Sequence, residues 1–222
     1  MGHVDIVVPV YNATSYVSRM LDTLAQHTPQ AGRIVLVDDA SPDPTTTSCL
    51  LDFQSRRPNT LVLRHGINTR FSRSVVDGFL LTHSSWVAVL NSDLELTPGW
   101  LEAMTIACAE DVAVIGCVQH NEVGGLCHSG FHGWAEMSGI HSEPWDVDWV
   151  TGAVWLVNRQ AWQDIGPLRC DVDQETGTDY RHFESDREWC SRARRLGGRV
   201  VMVPHVVTHL WRRSTPPDWG HT

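Results

Sequence analysis

Residues 4–10 read Val4-Asp5-Ile6-Val7-Val8-Pro9-Val10, an apolar run broken only by Asp5. That is the pattern of a strand buried on both faces of a parallel sheet. Similar short runs recur at 33–37, 60–63, 86–90 and 112–118. Between them the apolar positions take helical spacing over 16–26, 46–56, 73–81 and 98–109. The last of these has Thr97 in place for an N-cap and Pro98 for the first helical position. Strands alternating with helices predict an α/β fold with a mostly parallel central sheet flanked by helices. After Gln119 the alternation weakens, because Gly124, Gly125, Gly130, Gly133 and Gly139 interrupt it, and a smaller region of hairpins and loops is expected. Regularity returns with a strand over 154–157, a short helix over 159–165, a polar loop over 171–182, a helix over 185–196 and a strand over 199–203. Residues 214–222, with Pro216-Pro217, are expected to form a flexible tail. No repeat and no linker divides the rest, so one domain over 1–213 is expected.

In an open α/β sheet, ligands bind beyond the carboxyl ends of the strands, so the polar residues following the apolar runs matter most. The first run ends in Pro9-Val10-Tyr11-Asn12, the second in Asp38-Asp39-Ala40-Ser41 and the fourth in Asn91-Ser92-Asp93-Leu94-Glu95. Asp and Asn favour turns for local hydrogen-bonding reasons, so each end taken alone has a purely structural explanation. Their coincidence on one rim favours a site. Asp93, just past a buried strand, suits Mg2+ or Mn2+, which bind through one or two carboxylates while phosphate oxygens and water complete the shell. No Gly-x-x-x-x-Gly-Lys loop and no Gly-x-Gly-x-x-Gly follows any strand, so a cation would have to neutralise a bound diphosphate. Ser185 and Glu188 have capping-box spacing, which places Asp186 in a first helical turn, and 186, 189, 190, 193 and 196 share one side. Asp186 either complements the helix dipole, worth roughly 0.3–1 kcal/mol, or acts as a general base. The residue pattern leaves both open.

Composition changes the picture little. At 222 residues, 42% hydrophobic and 19% charged, the chain is an ordinary globular one. No apolar run approaches the roughly 18 residues of a membrane span. The N-terminus lacks a secretory or myristoylation pattern, so a cytoplasmic protein is expected. Six cysteines without a Cys-x-x-Cys pair favour free thiols packed as small hydrophobes over a zinc site or disulfides. A formal charge of −9 disfavours broad nucleic-acid binding. All 17 basic residues are Arg, and eight fall between Arg181 and Arg213; a local basic face and a mere compositional bias both fit that clustering.

Several stretches then take on a joint identity. Val4-Asp5-Ile6-Val7-Val8-Pro9-Val10-Tyr11-Asn12, Val37-Asp38-Asp39-Ala40-Ser41, Leu90-Asn91-Ser92-Asp93 and Thr97-Pro98-Gly99-Trp100 occur in that order. Thr151-Gly152-Ala153, Gly166, Asp186-x-x-x-Cys190-x-Arg192-x-x-x-x-Gly197, Val203-Pro204 and Val207-Thr208-His209 follow. Together, over nearly the whole chain, they resemble the family 2 glycosyltransferases of GT-A fold. The resemblance implies a single GT-A domain, with 1–118 as its nucleotide-binding half and 119–213 as its acceptor-binding half. It implies that Pro9, Tyr11, Asn12 and Asp39 hold the nucleotide, Asp39 meeting the base, and that Asn91 and Ser92 line the nucleotide-sugar. Asp93 would be the metal carboxylate, closing the family's Asp-x-Asp element whose first position is Asn91 here. His209 would be a further ligand of Mn2+ or Mg2+, and Asp186 the catalytic base. Gly152, Trp134 and Trp149 would meet the acceptor, where Trp145 and Trp155 also have faces suited to stacking on sugars. There are departures. Ser185-Asp186 stands where the family has Glu-Asp, with Glu184 one place earlier, and 68–78 matches the family's Asn-x-Gly-Phe region only partly. Arg73, in that segment, is expected near the nucleotide or diphosphate.

The implied reaction is an inverting transfer from a UDP- or dTDP-type sugar donor to an acceptor hydroxyl on a glycan or lipid-linked sugar. A modified DNA base and a protein are alternative acceptors. Two rivals are weighed against it: a sugar nucleotidyltransferase, disfavoured because Pro9-Val10-Tyr11-Asn12 is no glycine-rich basic loop, and a catalytically silent nucleotide-sugar binding module.

Overall fold

The computed structural model describes residues 2–133, 136–182 and 184–210. Its first part alternates strand and helix: β1 (Asp5–Val10), α1 (Thr14–His27), β2 (Ile34–Asp38), α2 (Pro44–Arg56), β3 (Thr60–Arg64), α3 (Arg70–Leu80) and β4 (Trp86–Leu90). Then come β5 (Leu94–Glu95), α4 (Trp100–Thr105), β6 (Val112–His120), β7 (Leu126–His128), β8 (Phe131–His132) and β9 (Glu136–Met137). The chain continues through β10 (Trp145–Asp146), β11 (Val154–Asn158), α5 (Arg159–Ile165), α6 (Ser185–Arg195) and β12 (Arg199–His209).

One sheet runs in the order β10-β12-β6-β11-β4-β1-β2-β3, with β5 paired to β12 and β7 to β6; β8 and β9 pair separately. Side chains alternate across it as a period of two requires. Ile6, Val8, Leu36 and Ala88 face a core closed by Met20 and Leu24 of α1, Leu50 and Phe53 of α2, and Trp100 of α4. Val7, Val35, Val37 and Val89 face a second core closed by Phe79 of α3, Trp162 of α5 and Trp189 of α6. Burial on both faces explains the uninterrupted apolar strands. Asp5 survives inside that pattern because it accepts the backbone N–H groups of Arg33, His83 and Ser84 at 2.7, 2.6 and 2.9 Å. Burial opposes its charge, but those donors outweigh it and hold the carboxyl below its ordinary value. Its place at the start of β1 makes it a clasp for the strand's base, away from the rim.

The sheet is parallel across β4, β1, β2 and β3, as expected. Beyond β4 it is mixed: β11 runs antiparallel to both β4 and β6, whereas β12 runs parallel to β6. Further corrections concern helix starts. Helix α4 begins at Trp100 behind Gly99, whose φ is 79°, and not at Pro98. Thr97 does not cap it, because the Thr97 hydroxyl donates to the Val206 carbonyl at 2.7 Å and lies 2.7 Å from His205 Nε2. Helix α3 begins at Arg70, three residues earlier than its apolar spacing predicts. The Ser185–Glu188 capping box does not form. Glu184 occupies the cap position with a left-handed backbone, the Ser185 hydroxyl pairs with Ser72, and Glu188 pairs with Arg192. The buried side of α6 is Trp189, Cys190 and Ala193; Leu196 is exposed.

All six cysteines are free thiols, and burial pushes Cys117 up to about 12, which keeps it an inert packing group. Five of the six described arginines between Arg181 and Arg199 are paired with acids, which works against a basic face: Arg181, Arg187, Arg192, Arg194 and Arg199 pair with Asp179, Glu184, Glu188, Asp148 and Asp146, while Arg195 bonds Ser191. Among the described residues no helix is long and apolar enough to cross a membrane. The expected tail over 214–222 lies outside the described residues.

Candidate active site

The ends of β1, β2 and β4 place their polar residues on one rim. Strand β1 gives way to Tyr11 and Asn12, and the backbone of Asn12 and Ala13 takes φ values of 54° and 58° before α1. The Asn12 N–H donates to the Ser41 hydroxyl at 2.9 Å, which ties the first two strand ends together. Asp39, buried, accepts Thr69 N–H, Thr69 Oγ1–H and the His65 ring through Oδ1, each at 2.8 Å, and Arg70 N–H through Oδ2 at 2.7 Å. An ionised carboxylate has about four lone-pair sites, and Oδ2 keeps capacity for one more donor. Asp38 is committed elsewhere, to Ser41 N–H, Thr47 and Arg64. Arg73 is exposed on α3 and pairs with Asp77 at 2.8 Å.

The fold joins this donor side to α6 through the first turn of α3. The Ser72 N–H donates to Arg181 O at 3.0 Å, and its hydroxyl contacts both Tyr180 O and Ser185 Oγ, at 2.6 and 2.8 Å. A side chain at Gly152 would come within 3.1 Å of the Phe71 ring, which would have to give by a few tenths of an ångström, and 3.6 Å of Asp186 Cβ, so glycine favours this close approach.

Asp186 sits half-buried in the first turn of α6. Its Oδ2 accepts Gly152 N–H at 2.9 Å and its Oδ1 accepts Arg187 N–H at 2.8 Å. Burial pushes this carboxyl above its ordinary value; the two N–H donors pull against that, and the nearby Glu184 carboxylate adds to it. The Glu displaced by one position in sequence thus still acts on Asp186, although its own partner is Arg187 at 2.7 Å.

Asp93 and His209 come from distant parts of the chain. Antiparallel pairing of β5 with β12 sets His209 opposite Leu94, and His209 Nε2 lies 3.3 Å from Asp93 Oδ1. His209 Nδ1 faces Gln119 Oε1 at 3.1 Å, deep in the protein. A carbonyl oxygen only accepts, so Nδ1 carries the proton, and in the neutral ring Nε2 is the lone-pair atom turned toward the carboxylate. Two acceptor atoms set side by side fit a shared divalent cation. Among the described residues no three His, Cys, Asp or Glu side chains gather to hold a metal by themselves, so such a cation would draw further ligands from phosphate oxygens and water.

Of the expected aromatic faces, Trp149 is half-buried, stacked on Phe131 at 4.1 Å between centroids, and its indole N–H donates to Gly133 O. Trp155 is not available for stacking on a ligand: it is 1% exposed and packs against Trp189 in the core. Trp145 donates to Ser138 at the sheet edge. Trp134 lies outside the described residues. Among nucleotide-side residues, Pro9 and Ser92 are buried, whereas Tyr11 and Asn91 are half-buried, and Asn91 N–H donates to Ala153 O at 2.8 Å. Sequence patterning misses Gln119 and His128; their only signal is a polar residue at the end of each of two short runs.

Residues 5–166 match the family model described as Glycosyl transferase family 2. The chain is 22% identical over 244 residues to a Drosophila melanogaster protein named as polypeptide N-acetylgalactosaminyltransferase 9, across 97% of this chain and 36% of that one. It is 27% identical over 123 residues to the undecaprenyl-phosphate 4-deoxy-4-formamido-L-arabinose transferase of Yersinia pestis, across 53% of this chain and 37% of that one. The chain therefore spans little more than a third of the length of these relatives. Among solved structures it is similar to the mannosyltransferase PcManGT of Pyrobaculum calidifontis in complex with GDP-Man and Mn2+, with a TM-score of 0.71 at 15% identity over 98% of this chain and 58% of that one. It is also similar to GalNAc-T7 with UDP, GalNAc and Mn2+, with a TM-score of 0.75 at 15% identity over 94% and 44%. These two likenesses establish a GT-A fold.

Proposed function

The chain belongs to glycosyl transferase family 2, and from that premise we propose that it moves a sugar from a UDP- or dTDP-type donor to an acceptor hydroxyl with inversion at the anomeric carbon. Residues 1–118 serve the nucleotide and 119–213 the acceptor. The observation that carries this is the pairing of residues from distant parts of the chain: Asp93 beside His209 at the rim, and Asp186 held by the Gly152 N–H just before β11.

Asp186 takes the proton from the acceptor hydroxyl as that oxygen attacks the anomeric carbon. Its raised pKa suits a base working near neutral pH, and its two backbone N–H donors fix its orientation. Asp39 uses its remaining Oδ2 capacity on the nucleobase, while Tyr11 and Asn12 border the ribose and Arg73 the diphosphate. Asp93 and His209 would hold Mn2+ or Mg2+, which would supply positive charge against the departing diphosphate. The Mn2+ in both similar structures supports that choice of cation. Trp149 and Phe131 offer an apolar face to the acceptor, which we assign to a glycan or lipid-linked sugar. Pairing of Arg181, Arg194 and Arg199 with acidic side chains speaks against a nucleic-acid acceptor.

The test is release of nucleoside diphosphate from a nucleotide-sugar panel, with Mn2+, with Mg2+ and with EDTA. Metal-dependent release with at least one donor is the expected result. Donor binding without any release would instead identify a silent binding module, and release indifferent to EDTA would remove the cation from the scheme.

A further inference from the structure

Gln119 is the penultimate residue of β6 and is fully buried, in a position where an apolar residue would pack without cost. Both ends of its amide are used. Oε1 accepts from His209 Nδ1 at 3.1 Å, and Nε2 donates to Thr151 Oγ1 at 3.0 Å. The Thr151 backbone N–H in turn donates to His128 Nε2 at 3.1 Å, a ring whose burial pushes its pKa down to about 3 and keeps it a neutral acceptor. The next peptide N–H, that of Gly152, is the one that holds Asp186, and the carbonyl after it, that of Ala153, receives Asn91 N–H. The segment 151–153 is thus gripped from β6, β7, α6 and the end of β4.

We propose that Gln119 is a positioning residue for transfer: its amide presets His209 with Nε2 toward Asp93 for a divalent cation, and ties that seat to the peptide that holds Asp186. This rests on the glycosyltransferase reading above. The physical reason is directional. An imidazole has two tautomers, and only donation from Nδ1 leaves the Nε2 lone pair facing the carboxylate. An outer partner that fixes a histidine ligand in this way typically changes metal affinity by about 10- to 100-fold when removed. Thr151 Oγ1, 3.0 Å from Nε2, holds the far end of the amide in place.

Calorimetric titration of the full chain with Mn2+ alone, without donor, tests this. Gln119→Leu should weaken Mn2+ binding by about tenfold or more, and Gln119→Glu, which keeps an acceptor oxygen on His209 Nδ1, should restore it. A merely structural role would not produce that rescue. Thr151→Val, a near-isosteric change at a half-buried position, should weaken binding in the same direction and covers the case in which Gln119→Leu does not fold. Wild-type Mn2+ affinity in a folded Gln119→Leu or Thr151→Val protein overturns the proposal, as does a folded Gln119→Glu protein no better than Gln119→Leu. If the unaltered chain binds no Mn2+ here, the proposal of a preset seat is overturned; if its nucleoside diphosphate release is also indifferent to EDTA, it is the cation of the functional reading that fails.

Discussion

Asp39, just past β2, and Asp186, in the first turn of α6, are both held by backbone N–H groups, yet their surroundings differ. Asp39 is buried among four donors from one short stretch, 65–70, which its own strand end anchors. Asp186 has two N–H donors, one from its own helix and one from Gly152, and burial raises its pKa. Donors lower the cost of a buried negative charge; where they are few, the carboxylate stays basic. Asp39 is thus anchored on four donors from one stretch, whereas Asp186 is a carboxyl that burial raises.

The largest expected effect breaks the comparison at Asp186. Asp186→Asn should lower kcat by about 10² to 10⁴ while leaving donor affinity unchanged, as measured by transfer rate and by donor titration. Full activity would remove Asp186 from the chemistry. Because a base works deprotonated and burial raises this group, kcat/KM of the unaltered chain should fall, as pH drops, at a pH above the ordinary carboxylate range. A limb at ordinary carboxylate pH would show that donors, not burial, govern the site.

The tryptophans come next. Trp155→Ala should cost about 3–5 kcal/mol of stability, because the ring is fully buried against Trp189. Trp149→Ala, at a half-buried ring stacked on Phe131, should cost less stability than Trp155→Ala and raise the acceptor KM. Reversal of that pattern would move the acceptor face away from Trp149. The smallest effect sharpens the anchor: Asp39→Asn replaces one acceptor oxygen by a donor opposite existing donors and should cost about 1–3 kcal/mol in denaturant unfolding. An Asp39→Asn protein of unchanged stability would mean that its donor network does not hold the 65–70 segment.

Much of the fold and part of the site are legible in the sequence. The doubly buried strands announce themselves as apolar runs, and the residues just past them mark the rim, because chain direction in a parallel sheet puts strand ends on one side. Local rules misread the capping roles of Thr97 and Ser185 for a shared reason: each side chain has a better partner far away in sequence, Val206 for one and Ser72 for the other. Capping patterns see only neighbours. Trp155 is misread as a ligand face because a tryptophan in a short apolar run looks the same whether it lines a cleft or fills a core.

By itself, then, the order of apolar and polar residues determined the strand-helix alternation, the rim residues Asn12, Asp39 and Asp93, and the motifs that resemble the family. Those are short-range properties, set by side-chain period and by the residues at a strand's carboxyl end. The seat shared by Asp93 and His209, the Gly152 grip on Asp186 and the Gln119 link between them were decided only by tertiary structure. Each depends on β11 running against its neighbours and on β12 returning past β5, and pairing between distant strands is written in no local stretch of the chain.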